Sequence, residues 1–373
     1  MSFTKIASGW IETGDTPTYH GWPTLCRLKS GRLLAAASGG REMHVCPFGR
    51  VHCYASDDGG LTWSKPQILS EGPLDDRDCG LAEAADGSVL LNYVTSIGFA
   101  QYREAPPHWR KLLKEISLDT LEREHGFWMR RSTDGGRTWS DKYRVPIFNI
   151  HGPTRMDDGS LLWVGNEFGN PFAMSCRKPA IRAYRSTDHG LTWEFHSALP
   201  DCPGQNQGDW YEVHTVQNAK GLVITQFRNH ADPLGEVTTW QVESADGGRT
   251  WGPYHRVARG YPSHLVRLAD GRVVMTYGWR HTPCGIRFRI GSDYPANYWG
   301  AGRPLIDKLM TGWVELPGDY WSEEEVLCDD GETYDLGYPS TVQLADETLV
   351  TLWYQYRKSS GLASLRWLKW KLD

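Results

Sequence analysis

The chain lacks an apolar run long enough to span a bilayer, and its opening residues, MSFTKIASGWIETG, lack the apolar core of a secretory leader. No membrane partner is expected. A cytoplasmic location is expected for the chain as given, and a secreted or periplasmic one if a leader has been trimmed. Basic residues are not in excess: 40 Lys and Arg face 45 Asp and Glu, a formal charge of −5. That balance argues against nucleic acid, and an acidic ligand would need a locally basic pocket. Eight cysteines (Cys26, Cys46, Cys53, Cys79, Cys176, Cys202, Cys284 and Cys328) are scattered without a C-x-x-C pair, which reads as reduced thiols. The thirteen histidines form no metal signature, since the REMH stretch at 41–44 is not H-E-x-x-H. Neither a metal nor another cofactor is expected. No Pro/Gly/Ser-rich linker, charge run or low-complexity tract interrupts the sequence, so one domain over 1–373 is predicted.

What the sequence does contain is repetition. SDDGGLTWS at 56, STDGGRTWS at 132, STDHGLTWE at 186 and SADGGRTWG at 244 share the form S-x-D-x-G-x-T-W, and a worn copy, SDYPANYW, starts at Ser292. Recurrence of this kind marks a repeat architecture. A second repeat accompanies it. LCRLKSGRLLAAAS, LAEAADGSVLLNYV, TRMDDGSLLWVGN, TVQNAKGLVITQF, LVRLADGRVVMTYG and TVQLADETLVTLWY each join two apolar strands through a polar turn, usually Asp-Gly. Such turns between apolar runs are the strongest short hairpin signal. Six hairpins, most followed by the S-x-D-x-G-x-T-W turn, predict an all-β fold: a six-bladed β-propeller of four-stranded blades. In the repeated phrase the Ser and Asp can bond amides of their own turn, Gly supplies a positive φ, and Trp packs between strands. Between the first two copies, PPHWRKLLKEISLDTLEREH has helical apolar spacing and predicts an insertion on blade 2 near 105–125 that forms one wall of a cleft.

Inner strands are predicted to start near residues 22, 78, 152, 212, 262 and 338, in YHGWP, DDRDC, NIHGP, DWYEVH, RGYPSH and LGYPS. These heads place His20, Trp22, Asp78, His151, Glu212, His214, Tyr261 and Tyr338 at one end of the axis. Convergence of polar, ionisable and aromatic groups from six blades favours a binding or catalytic centre there.

The repeated phrase is that of the Asp box, and with six blades the chain resembles the sialidase superfamily over nearly its whole length. The resemblance implies a retaining exo-glycosidase that releases a terminal acidic sugar, sialic acid or another anionic sugar, from a glycan. In YEVHTVQNAKGLVITQFRN, Glu212 and Arg228 match the family's glutamate and arginine, and Tyr338 of LGYPSTVQLAD matches its nucleophilic tyrosine. For the blade 5 arginine, YGWRHTPCGIRFR offers Arg280, with Arg287 and Arg289 as alternatives. Two parts are not matched. The family's first-strand arginine falls in HGWPT, where Trp22 stands beside the proline, and its acid/base aspartate falls in REMHVCPFGRVHCYAS, which holds no aspartate. Arg41 or Arg50 could replace the arginine, and His44, Asp78 or His151 the acid. His151, His214, Trp22 and Tyr261 are expected to contact the sugar.

A tyrosine nucleophile suits such a substrate, because a carboxylate beside the anomeric carbon repels an anionic nucleophile. A neutral phenol, with a pKa of about 10, needs a base alongside, and Glu212 is placed to be that base. Arginines would hold the anion by planar paired hydrogen bonds. Two other readings fit the same residue types: a polysaccharide lyase on uronic acid chains using His, Tyr and Arg, and a carbohydrate-binding propeller without turnover.

Overall fold

The structure, a computed structural model, describes residues 2–14, 18–102, 105–167, 180–202, 204–233, 235–291 and 321–373. Its sheets are six, each of four antiparallel strands. Blade 1 runs outward from Tyr19–Arg27 through Leu33–Arg41 and Arg50–Ser56 to Gln67–Ile68. The inner strands of blades 2 to 6 are Asp75–Glu83, Thr154–Arg155, Trp210–Gln217, Ser263–Arg267 and Leu336–Gln343. Each inner strand touches those of its two neighbours, which closes a ring about one axis. The six heads therefore lie where the sequence places them. Blade 6 takes its outer strand, Phe3–Trp10, from the other end of the sequence, paired antiparallel to Leu362–Leu372. The hairpin repeats do not predict that closure, because Phe3–Trp10 carries no turn signature.

Burial explains why the strands read as apolar runs rather than as strict alternation. Six hydrophobic clusters fill the six gaps between neighbouring blades, so every sheet is covered on both faces. The gap between blades 6 and 1, for instance, holds Trp22, Leu25 and Tyr54 against Tyr338, Leu352 and Leu365.

The Asp boxes sit away from the axis, in the turns between the third and fourth strands of blades 1 to 4. Ser132 Oγ donates to Asp134 Oδ1 at 2.8 Å and accepts the Gly136 amide at 2.9 Å. Asp134 also accepts the amides of Arg137 and Thr138 and the Thr138 hydroxyl. The last glycine of each box answers a packing demand as well as a conformational one. Gly60, Gly136, Gly190 and Gly248 have φ between 83° and 88°. A Cβ added to them would meet Val350, Leu34, Leu90 and Leu162, each on the second strand of the preceding blade. Each box thus pins its blade to its neighbour. The copy starting at Ser292 lies outside the described residues.

The predicted helical insertion is present as Pro107–Glu115 and Leu118–Glu124, between the second and third strands of blade 2. Second strands run back to the end where inner strands begin, so the insertion lies on that face. Phe99, Ala105 and Trp109 form a separate small core with Cys46 and Leu74. Trp109 Nε1 and His108 Nε2 bond Glu42 at 2.8 and 3.0 Å. The insertion therefore braces the blade 1 loop after Arg41.

Two stability measurements test this account of the boxes. Gly136→Ala and Gly135→Ala both place a side chain at positive φ, but the new Cβ clashes with the neighbouring blade only at Gly136, 2.6 Å from Leu34; at Gly135 it would make ordinary contact, 3.7 Å from Leu28. Gly136→Ala is expected to cost about 1–3 kcal/mol more than Gly135→Ala in chemical denaturation, and equal losses would remove the packing role. The second concerns charge. Burial pushes the Asp246 carboxyl up, but hydrogen bonds from the Thr250 hydroxyl and amide, the Ser244 hydroxyl and the Arg249 amide outweigh it and bring it down to about 2. A depressed folded-state pKa stabilises the native state above the unfolded value of about 4 and ceases to do so as pH falls toward 2. The stability gap between the native sequence and Asp246→Asn should therefore narrow over that window; a gap independent of pH would refute the assignment.

Candidate active site

The heads of the inner strands share an unusual backbone. Trp22, Asp78, Glu212 and Tyr338 have φ of 54°, 56°, 54° and 55°, and each lies at a break in register with the second strand. In blade 3 the corresponding turn is made by Gly152, with φ of 82°. Left-handed backbone costs on the order of 1 kcal/mol or more for a bulky residue and persists only where the surroundings impose it. Here the bulges turn four polar or aromatic side chains inward at one end of the axis.

Blades 4, 5 and 6 supply the centre. The Tyr338 hydroxyl donates to the Glu212 carboxylate, and Arg228 NH1 donates to both oxygens of that carboxylate at 3.0 and 3.1 Å. Arg228 and Arg280 flank the Tyr261 ring at 4.5 and 5.3 Å, and Arg280 also lies 5.8 Å from the Tyr338 ring. Burial raises the Tyr338 phenol well above its ordinary range, and the adjoining Glu212 charge raises it further. Burial alone would raise Glu212 too, but Arg228, the Tyr338 hydroxyl and Arg280 bring its carboxyl below the ordinary value. The resting pair is a neutral phenol against a carboxylate. Among the described residues Arg280 forms no ion pair with a carboxylate: its one hydrogen bond is to the Tyr354 hydroxyl, at 3.3 Å, and its buried Nε has no hydrogen-bond partner there.

Blades 1 and 2 form the opposite wall. Trp22 is buried beneath two guanidiniums, Arg41 at 4.9 Å and Arg77 at 4.3 Å. Arg41 is fully buried in a paired bond with Asp75 at 2.5 and 3.0 Å, so it lies behind the wall and is not available to a ligand. Arg77, which the sequence reading passed over, occupies that side instead, 3.0 Å from Asp78 Oδ2 and 17 % exposed. Asp78 itself is desolvated, which raises its carboxyl against the pull of Arg77 and Arg41, and its buried Oδ1 has no hydrogen-bond partner among the described residues. His44, on the loop the insertion braces, stands edge-on to Trp22 at 4.8 Å, with Nδ1 held by Tyr19 and Asp335.

Other expected contacts fall elsewhere. Arg287 is 4 % exposed and bonds the carbonyls of Cys328 and Pro283 inside blade 5, away from the centre. Arg289 bonds the Tyr277 hydroxyl, and Arg50 the Gly49 carbonyl. His20 is buried against His52 at 3.2 Å. His214 lies further along its strand, and its Nδ1 accepts the Leu265 amide at 2.8 Å, a tie from blade 4 to blade 5. It stacks with His264 at 4.2 Å, and His151 sits 4.6 Å from it. Burial holds His151 down at about 3 and His214 well below the imidazole range, so both are neutral. These rings lie beneath the Tyr338–Glu212 pair and line a cavity of 860 Å³ around the ends of the inner strands. The structure thus brings together Trp22, His44, Asp78, Glu212, Arg228, Tyr261, Arg280 and Tyr338, and adds Arg77, Asp335, Tyr19 and Tyr354. The added residues were within sight: Arg77 adjoins Asp78 in DDRDC, Tyr19 lies inside TYHGWP, and Asp335 lies inside YDLGYPS.

Comparison with known proteins agrees with this architecture. The model for the BNR repeat-like domain matches residues 31–351. A sialidase of Bacteroides fragilis is 22 % identical over 313 residues, 80 % of this chain and 52 % of the relative. A xyloglucanase of Acetivibrio thermocellus is 28 % identical over 263 residues, 63 % of this chain and 28 % of the relative. The chain thus spans between about a quarter and half the length of these curated relatives. A crystal structure of a protein of unknown function from Dyadobacter fermentans superposes with a TM-score of 0.74 at 23 % identity, covering 100 % of this chain and 99 % of that one. With the family model matching from the first hairpin to the last and six blades closed around the axis, the chain belongs to the BNR repeat-like family, within the sialidase superfamily of six-bladed propellers.

Proposed function

We propose that this propeller is an exo-acting glycoside hydrolase that releases a terminal acidic sugar from a glycan. The observation that carries the reading is the Tyr338 hydroxyl donating to the Glu212 carboxylate beside a guanidinium, Arg280, that forms no ion pair of its own among the described residues. As the phenol oxygen bonds to the anomeric carbon, its proton passes to Glu212 and the bond to the leaving oxygen breaks. Water then attacks the glycosyl-tyrosine and regenerates the phenol. Because Tyr338 stays neutral until attack, it does not repel an anionic sugar. Arg280 supplies the open half of an anion clamp, and Arg228, committed to Glu212, fixes the base. A panel of aryl glycosides of sialic, uronic and sulfated sugars tests the reading, with release of the sugar as the expected result. Binding without release, or an unsaturated product seen as rising ultraviolet absorbance, would overturn it.

Two predictions follow the chemistry. Tyr338→Phe and Glu212→Gln should each reduce kcat by orders of magnitude, while the double variant loses little beyond either single one, since groups acting as one unit are not additive. Retention of most turnover by Tyr338→Phe would remove the nucleophile assignment. Arg280→Lys keeps the charge but not the planar fork, and a lost charge-assisted hydrogen bond is worth roughly 1.5–3 kcal/mol. KM for an acidic glycoside should rise about 10- to 100-fold, with little change for a neutral analogue; an equal effect on both would show that Arg280 does not read the anion.

A further inference from the structure

The scheme above leaves the proton for the departing glycosidic oxygen unassigned. We propose that His44 donates it, held in position by Asp335, an inference that rests on the glycosidase reading of Tyr338 and Glu212. The blade 1 loop lacks the expected aspartate, but it holds an imidazole in a built setting. His44 Nδ1 lies 2.9 Å from the Tyr19 hydroxyl and 3.3 Å from Asp335 Oδ1, and Nε2 has no partner among the described residues. Asp335 also accepts from the hydroxyls of Tyr19 and Tyr354, each at 3.0 Å, and Tyr354 in turn accepts from Arg280. A carboxylate holding Nδ1–H fixes the ring so that Nε2–H faces the substrate, the arrangement by which histidine transfers protons.

Position separates His44 from the other acid candidates. His44 is 48 % exposed at the mouth of the site, where the leaving group of an exo-acting enzyme must project. Asp78 faces inward, with one oxygen bound to Arg77 and the other buried, a placement suited to a hydroxyl of the retained sugar. His151 lies beneath the reacting pair. Both His44 and Tyr338 border the same indole, at 4.8 and 6.4 Å from Trp22, so one glycosidic bond can lie between them. The loop is preorganised: Arg41 NH2 bonds the His44 carbonyl at 3.0 Å, and Glu42 is clamped by the insertion. In the first step Nε2–H passes its proton to the leaving oxygen as the C–O bond breaks. In the second, Nε2 takes a proton from the attacking water, which restores the imidazolium.

The test uses one glycone with two leaving groups, a nitrophenol that departs without protonation and a sugar that does not. For His44→Gln, kcat/KM should fall about 10²–10⁴-fold on the sugar leaving group, and less than about 10-fold on the nitrophenyl glycoside. Asp335→Asn should show the same asymmetry at smaller size, in kcat rather than KM, with its unfolding midpoint close to the native one. Tyr338→Phe should lose activity on both. An equal loss on both substrates for His44→Gln, or the asymmetry appearing in Asp78→Asn instead, overturns the assignment while the glycosidase reading stands. A native protein that cleaves neither substrate, or whose turnover survives Tyr338→Phe, overturns that reading itself.

Discussion

No blade of this propeller has a free face, and everything else depends on that constraint. Each sheet buries both sides against its neighbours, so the ring is stable only when closed, and Phe3–Trp10 completes the last sheet against Leu362–Leu372. The central contact exists for the same reason. Tyr338 and Glu212 belong to blades 6 and 4, which are not adjacent; blade 5 lies between them. Their side chains meet only because the axis brings the heads of non-neighbouring strands together. A local hairpin could not make that bond.

Charge is arranged with similar economy. A buried ion is tolerated when it is paired, and here Arg41 with Asp75, Arg77 with Asp78 and Arg228 with Glu212 form three compensated pairs around one opening. Arg280 is the exception: among the described residues its hydrogen bond is to a phenol and not to a carboxylate. On the proposed reading this sets the substrate's charge: one guanidinium left open, in a site whose other cations are already neutralised, matches one anionic group. On the wall formed by blades 1 and 2, Arg77 reaches over the Trp22 indole from the neighbouring blade.

The fold was legible in the sequence because its determinants are local and repeated. Asp-Gly turns set the hairpins, and S-x-D-x-G-x-T-W sets the outer turns, each by hydrogen bonds within a few residues. The strand heads were legible for the same reason, since they lie at a steady distance upstream of each turn. Contacts fixed by tertiary packing were not. Whether a guanidinium near the axis is free or buried depends on its partner from a distant segment, which is why Arg41 and Arg287 read as ligand-facing although one is locked to Asp75 and the other to backbone carbonyls. Arg77 and Asp335 lie beside predicted heads in the sequence, but their contacts with Trp22 and His44 join segments far apart in the chain and were not legible from it. The closing strand was missed because Phe3–Trp10 has no repeat of its own.

The left-handed heads show how strain, packing and site asymmetry belong together. Glycine would relieve the strain at Trp22, Asp78, Glu212 and Tyr338, but it would leave the axis without a side chain there. Blade 3 does use glycine, and the reason is steric: a Cβ on Gly152 would lie 3.1 Å from the Leu81 amide nitrogen and 3.2 Å from its carbonyl oxygen. Gly80 faces the same pinch from the other side, against the Gly152 backbone. Blades 2 and 3 thus approach too closely for blade 3 to present a head group, and its His151 sinks into the layer below. The opening that remains is bounded by blades 4 to 6 on one side and by blades 1 and 2 on the other, with Tyr338 and Glu212 on the first wall and His44 on the second. Close backbone packing on one side of the ring therefore gives the pocket two unlike walls, which the proposed displacement between a nucleophile and an acid requires.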